Sequence, residues 1–158
     1  MTLTPRRAIL YGTLTVGALD LADALVFFGL RGAQPIRICQ SIAAGLLGRS
    51  AFQGGLATAA LGVLLHFFIA FLIVSVFYLI SRRVPGLLAH PIASGLAYGV
   101  GVYFVMNYAV IPLSATSRGP FVLPVFVNGL LIHAFGVGLP SSVFAKAAVR
   151  NRSDGGTS

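Results

Sequence analysis

Six polar side chains stand inside long apolar runs of the sequence, and their types are the ones that could do chemistry. They are two carboxylates, two imidazoles and two amides: Asp20, Asp23, His66, His133, Asn107 and Asn128. Carboxylate and imidazole groups exchange protons and ligate cations, whereas amides in membrane helices more often hydrogen-bond neighbouring helices together. The set therefore indicates proton or cation handling, cofactor ligation or structural pairing, depending on where the helices place it.

The two carboxylates occur in one short stretch, GALDLADALVFF, although the whole chain has only three acidic residues. Asp20 and Asp23 are three residues apart, so they share one helix face. A charged side chain at the middle of a membrane costs at least about 2.5 kcal/mol, and a structural hydrogen bond needs only one carboxylate. Two interpretations stay open: a functional acidic face opposite His66, and structural pairing of the carboxylates with histidine.

The composition places these groups in a membrane protein. The chain of 158 residues is long enough for one domain, is 57% hydrophobic and 9% charged, and has a mean hydropathy of +0.93. A soluble domain carries about 25% charged residues, so this surface must face lipid. The net charge of +8 comes from arginines scattered between apolar runs, which is typical of membrane flanks and not of a nucleic-acid groove.

Four runs are long enough to cross a membrane, which takes about 20 mostly apolar residues. The sequence therefore predicts an all-α fold, an integral membrane four-helix bundle that forms a single transmembrane domain over residues 1–158. The predicted spans are 8–30, 56–80, 91–113 and 121–145. A short interfacial helix is predicted over 36–48, and a disordered tail over 151–158.

The segment 36–48 is too short to cross the membrane. Ile38, Ile42 and Leu46 recur at every fourth position, with Arg37 and Gln40 elsewhere on the helical wheel. This pattern favours a helix that lies in the membrane interface. A re-entrant segment, which is tolerated only where protein or water covers it, is the alternative.

The positions of arginine and lysine predict the orientation, because cytoplasmic loops carry an excess of both. Seven cations fall on the side of the termini: Arg6, Arg7, Arg82, Arg83, Lys146, Arg150 and Arg152. Four fall on the other side: Arg31, Arg37, Arg49 and Arg118. Both termini are therefore predicted to be cytoplasmic.

The depth of each polar group follows from counting 1.5 Å per residue from the midpoint of its span. Asp20 and His133 fall near the centre of the membrane, and Asp23 and His66 fall about 3–6 Å toward the outside. The two asparagines fall farther out. The polar groups of all four spans are thus predicted to converge, with Asp23 nearer than Asp20 to the depth of His66.

Gly95 and Gly99 form a GxxxG pair on the third predicted span. Such spacing lets two helix backbones approach closely. It serves packing inside a bundle more often than dimerisation, and it also offers a face for a homo-oligomer. Apart from such a second copy, the lipid bilayer is the only partner that the sequence predicts.

Several residues between Gln40 and Ala134 form a pattern that is similar to known sequences. They are His66, Tyr78, Pro85, Gly95, Gly99, the PLSA that follows Ile111, and His133. The pattern resembles that of a group of small, uncharacterised bacterial inner-membrane proteins, and more distantly that of the YagU-like inner-membrane proteins. It departs in the fourth span, where the YagU-like pattern has an acidic residue near its histidine and this chain has Asn128. The resemblance implies a multi-pass protein of the bacterial inner membrane, and no particular activity.

Three functions fit these observations. The favoured one is a non-catalytic or structural membrane component whose polar core only holds helices together. The alternative is a small proton- or cation-handling transport protein that uses Asp20, Asp23, His66 and His133. A second alternative is a membrane haem or metal binder, with the two histidines as haem ligands or with both aspartates and both histidines around a divalent metal. No enzyme is predicted, because the loops are too short to build a site for a soluble substrate, and no cofactor is required.

Overall fold

The computed structural model describes residues 3–116 and 119–153, with side chains as far as Ala148. Within these ranges the chain is helical and contains no strand. The α-helices are α1 (Pro5–Gly29), α2 (Pro35–Leu47), α3 (Gly55–Arg83), α4 (Gly86–Ala89), α5 (Pro91–Val105), α6 (Ile111–Leu113), α7 (Leu123–Ile132) and α8 (Leu139–Ser153). A 3₁₀ segment covers Gly48–Gln53, and π-helical segments cover Met106–Val110 and His133–Gly138.

Four continuous helices are long and apolar enough to cross a membrane, so the predicted all-α membrane architecture is confirmed. We call them spans one to four: Pro5–Gly29, Gly55–Arg83, Pro91–Leu113 and Leu123–Ala148. Their ends lie within a few residues of those predicted. The last helix continues to Ser153, three residues into the predicted disordered tail, and the rest of that tail, 154–158, lies outside the described residues.

The half of the bundle that holds Leu3 and the end of span four, which we call the terminal half, is packed mainly by apolar side chains. One cluster joins the ends of spans one, two and four with α4 and contains Leu3, Ala8, Phe77, Tyr78, Leu88, Ala145 and Ala148. A second cluster lies next to it, toward the bundle centre, and contains Val16, Ala70, Val74, Val102 and Val137. Phe77, Val16 and Val74 are among the fully buried side chains of this half, as are Ser81, Ser141 and Ser142, so its described side chains are tightly packed between the spans.

Glycines allow the backbones of spans three and four to touch. A Cβ on Gly95 would lie 2.9 Å from the carbonyl oxygen of Gly138, and a Cβ on Gly99 would overlap the carbonyl oxygen of His133. Both glycines are buried inside the chain. The face with Gly95 and Gly99 thus packs against span four within the chain, and the homo-oligomer stays a prediction.

Each of the last two spans contains a π-helical segment just before a proline. Met106–Val110 precedes Pro112, and His133–Gly138 precedes Pro140. Proline lacks an N–H and its ring crowds the carbonyl four residues earlier, and a wider π turn removes that conflict while the helix continues. Span four therefore continues through Pro140.

Helix α2 packs across span two at the end of the bundle away from the termini. The Cβ that Gly62 lacks would overlap the carbonyl of Cys39, so the two backbones are in contact. Gln40 is 2% exposed, and its Nε2 donates to the carbonyl oxygen of Gly55 at 2.9 Å. Leu46 is 62% exposed. The helical wheel placed Gln40 away from the apolar face of Ile38, Ile42 and Leu46. This assignment is wrong for Gln40, which is buried by a tertiary contact with span two that the wheel does not contain.

Candidate polar cavity

All six polar residues singled out in the sequence line one cavity of about 490 Å³. We call it the polar cavity, and it is bounded by the four spans and α2. Span one contributes Asp20 and Asp23, span two His66, span three Asn107, and span four Asn128 and His133. The predicted convergence of these groups is therefore found in the folded chain.

Asp20 and His66 form the deepest polar contact between spans one and two. The His66 Nε2 lies 2.9 Å from the carbonyl oxygen of Gly17 and 4.0 Å from Asp20 Oδ2. Because a carbonyl can only accept, this nitrogen carries the proton in that hydrogen bond. The side chains of His66 and Asp20 are 13% and 26% exposed, so both reach the cavity. His66 faces span one, as its position predicted.

Asp23 forms a hydrogen bond with span four instead. Asn128 Nδ2 donates to Asp23 Oδ2 at 2.7 Å. The depth estimate placed Asp23 nearer than Asp20 to the level of His66, but Asp20 is the carboxylate that lies 4.0 Å from His66 Nε2. A depth estimate contains no direction around the helix axis. Three residues turn a helix by about 300°, so the two side chains are about 60° apart around the helix axis. They share one broad face, but Asp23 points toward span four and Asp20 toward span two.

The remaining two polar groups are held by their own helices. Asn107 Nδ2 donates to the carbonyl oxygen of Tyr103 at 2.9 Å, and His133 Nδ1 lies 2.9 Å from the carbonyl oxygen of Gly129. Both side chains belong to the π-helical segments described above. Asn107 therefore does not join two helices through this bond, although interhelical bonding was the role expected for it.

Among the described residues, no lysine or arginine lies within 4.0 Å of the carboxylates of the cavity. The one pair of oppositely ionisable groups at that distance in this part of the chain is His66 and Asp20, which is an ion pair when the histidine is protonated. Arg37 of α2 lines the cavity, but its Nη1 donates to the carbonyl oxygen of Phe52 at 2.8 Å. The guanidinium also stands 5.7 Å from the centre of the Phe52 ring. It is thus held at the α2 side of the cavity and does not neutralise Asp20 or Asp23 directly.

The polar cavity extends from the centre of the bundle toward α2 and not toward the terminal half. Its lining extends from Asp20 along span one to Phe28, and then to Ala33 and Arg37 at the start of α2. A smaller adjoining cavity of about 130 Å³ shares Asp20, His66 and His133 and ends against Val16 and Val137. Those two valines belong to the apolar cluster of the terminal half. The polar cavity therefore reaches the centre of the bundle from the α2 side and stops there.

The apolar and basic walls of the cavity were not predicted as site residues. Phe27, Phe28, Arg37 and Ser41 all line it. Arg37 entered only the predictions of the orientation and of the helix over 36–48, and the two phenylalanines resemble any other apolar residues of a span. Their part in the cavity depends on how α2 folds back over the bundle, and no local pattern encodes that.

The geometry gives little support to a metal or haem site. The described residues contain no group of three or more histidine, cysteine, aspartate or glutamate side chains placed to hold a metal ion. The Nε2 of His66 is used by the Gly17 carbonyl and the Nδ1 of His133 by the Gly129 carbonyl. Coaxial haem ligation by both histidines would require His66 to give up its contact with span one.

Comparison with known proteins finds no matching family, no similar curated protein and no similar solved structure. The resemblance to YagU-like proteins stays a prediction.

Proposed function

We propose that this membrane protein binds a proton or a small cation in the polar cavity and transports it, without catalysing a reaction. The supporting observation is that Asp20 and Asp23 open into one cavity with two imidazoles and that no lysine or arginine in the described part of the chain contacts either carboxylate. Ionisable groups inside membrane proteins usually mark ion or proton pathways. A cation that enters this cavity supplies the charge that the folded chain does not place there.

The chemistry of the step is transfer between a carboxyl and an imidazole. A carboxylate and a histidine can each hold the proton, and Asp20 is 4.0 Å from His66. Asp23 and His133 line the same space. A proton entering from the α2 side thus meets Asp23 first along span one, then Asp20 and His66.

Transport also requires an opening in the terminal half, which the apolar clusters close in this conformation. The π-helical segments of spans three and four lie at the level of the cavity, and such segments are frequent sites of helix bending. We propose that spans three and four bend at these segments to expose the cavity to the other side.

We further propose that the protein lies in the bacterial inner membrane with both termini in the cytoplasm, following the arginine distribution. The polar cavity would then open to the outside, because α2 and the start of span two belong to the side opposite the termini.

Proton or cation flux into liposomes tests the proposal. Purified protein is reconstituted, a potential is imposed, and internal pH or sodium is followed by fluorescence. We expect flux above that of empty liposomes, and a loss of most of it in Asp20→Asn and Asp23→Asn, which keep the shape of each side chain and remove its charge. His90→Gln, at an exposed position between α4 and α5, is the control and should leave flux unchanged.

One observation favours the structural function that the sequence alone suggested. The hydrogen bond from Asn128 to Asp23 joins spans one and four, which is how polar residues hold membrane helices together. If the wild type carries no flux and Asp23→Asn lowers only the stability, the polar residues are structural and the transport proposal fails.

A further inference from the structure

We infer that the ligand of the polar cavity is a lipophilic organic cation, meaning an amine or quaternary ion with an apolar body. The charge would lie between Asp20 and Asp23, and the body against the apolar walls. This inference rests on the proposed cation-binding function and narrows its ligand class. Three observations carry it: the size of the cavity, the chemistry of its walls and the distribution of its charges.

The cavity is much larger than an inorganic ion needs. Its volume of about 490 Å³ falls in the range of about 300–1,000 Å³ that is typical of sites for organic molecules. A proton needs only one carboxyl group, and a dehydrated metal ion needs several oxygen or nitrogen ligands around one point. The described residues contain no metal-holding group of three such side chains.

The walls between the polar groups are apolar and partly aromatic. Leu21, Phe27, Phe28, Ile38, Ile42 and Ile132 are among the lining residues. Phe28 is 36% exposed, whereas the face of the Phe27 ring is covered by the Arg31 guanidinium, 3.5 Å from the ring centroid. Phe28 is therefore the aromatic wall that a ligand can reach. Aromatic faces attract cations, with a gain of about 0.5–2 kcal/mol. Such walls favour an organic cation over a hydrated inorganic one.

The charges are arranged to hold a positive group deep in the cavity and not at its mouth. The carboxylates lie at the centre, whereas Arg37 is held at the α2 side through the Phe52 carbonyl. An anionic ligand would meet Asp20 and Asp23 at the end of the cavity, where no arginine or lysine among the described residues contacts either carboxylate. The potential inside therefore selects for cations.

Equilibrium binding of tetraphenylphosphonium to the purified full chain in detergent tests the inference. This ion has a single positive charge and an apolar body, and triphenylphosphine oxide serves as the neutral control. We expect saturable binding of the cation, and binding of the neutral compound that is at least about tenfold weaker, since it lacks the charge interaction.

Variants locate the binding site. Asp20→Asn and Asp23→Asn should each weaken tetraphenylphosphonium binding by about tenfold, and Phe28→Leu, which keeps an apolar side chain and removes the ring, by about threefold. His90→Gln should bind as the wild type does. Circular dichroism and elution volume verify that each variant is folded, and Asp20→Glu provides a charge-retaining variant if Asp20→Asn does not fold.

The outcomes separate this inference from the proposed function. Carboxylate-dependent binding of tetraphenylphosphonium supports the inference even if no flux is measured. Proton or sodium flux that needs Asp20 and Asp23, together with no binding of tetraphenylphosphonium, overturns the inference and leaves the proposed function standing. Binding that is unchanged in both aspartate variants, or equal for the neutral compound, places the ligand on apolar surface outside the cavity and also overturns it.

Discussion

Asp23 and Asn128 form the polar contact that links the first span to the last. The bond is 2.7 Å long and joins an amide donor to a carboxylate, a type that is stronger than a bond between neutral groups. Hydrogen bonds between membrane helices contribute about 0.6 kcal/mol on average and about 1.7 kcal/mol at most. This contact should lie in the upper part of that range.

A double-mutant cycle measures the free energy of the hydrogen bond between Asp23 and Asn128. We expect Asp23→Ala and Asn128→Ala to show a coupling free energy of about 1 kcal/mol in unfolding from mixed micelles. The matched cycle pairs Asp23→Ala with Asn107→Ala, whose amide bonds the Tyr103 carbonyl within its own span, and should show none. Equal coupling in both cycles would mean that the cavity responds as a whole and that the bond has no separate effect.

At the scale of the helical elements, spans three and four depend on the absence of side chains where they cross. A Cβ at Gly99 would overlap the backbone of His133, whereas a Cβ at Gly101 would have no atom within 4 Å. The two glycines are on the same helix and two residues apart. They therefore form a matched pair for testing backbone contact.

We expect Gly99→Ala to lower the free energy of unfolding by about 1–3 kcal/mol, the usual effect of overpacking. Gly101→Ala should change it by no more than about 0.5 kcal/mol, like an ordinary surface substitution. Thermal unfolding in detergent provides the comparison. A larger loss in Gly101→Ala would show that this exposed face is covered by another molecule.

The sequence predicted the elements better than the contacts between them. A span is a local property, because about 20 apolar residues are enough to define one, so the four helices could be located. The burial of Gln40 and the position of Arg37 follow from the docking of α2 on Gly62, and this contact is tertiary. The six polar residues were identifiable because they are rare in apolar runs. Their pairing was not, since the direction of Asp23 depends on which helix faces it.

At the scale of the whole molecule, the bundle is divided into a packed terminal half and an open half beneath α2. A residue of the open half should therefore be more accessible to water than a residue of the terminal half. Ser41 is exposed and lines the cavity, whereas Ser142 is fully buried against Gly95 in the terminal half.

Thiol labelling in sealed vesicles tests this division. In a Cys39→Ser background, we expect Ser41→Cys to react with a membrane-impermeant maleimide from the outer side only. Ser142→Cys should react from neither side until the protein is unfolded. Reaction of Ser41→Cys from the cytoplasmic side would reverse the proposed orientation, and rapid reaction of Ser142→Cys would contradict the packed half.

The one-sided cavity also determines where the membrane voltage acts. If water fills the open half, its high dielectric constant places most of the voltage drop across the apolar clusters of the terminal half. In the proposed orientation, a cation that travels from the outside to Asp20 therefore crosses little of the field, and its affinity should hardly depend on voltage. Crossing the remaining distance moves the charge through most of the field, which is worth about 2.3 kcal/mol per 100 mV. Any current through this protein should accordingly be limited by the passage through Val16 and Val137 and should depend steeply on the voltage.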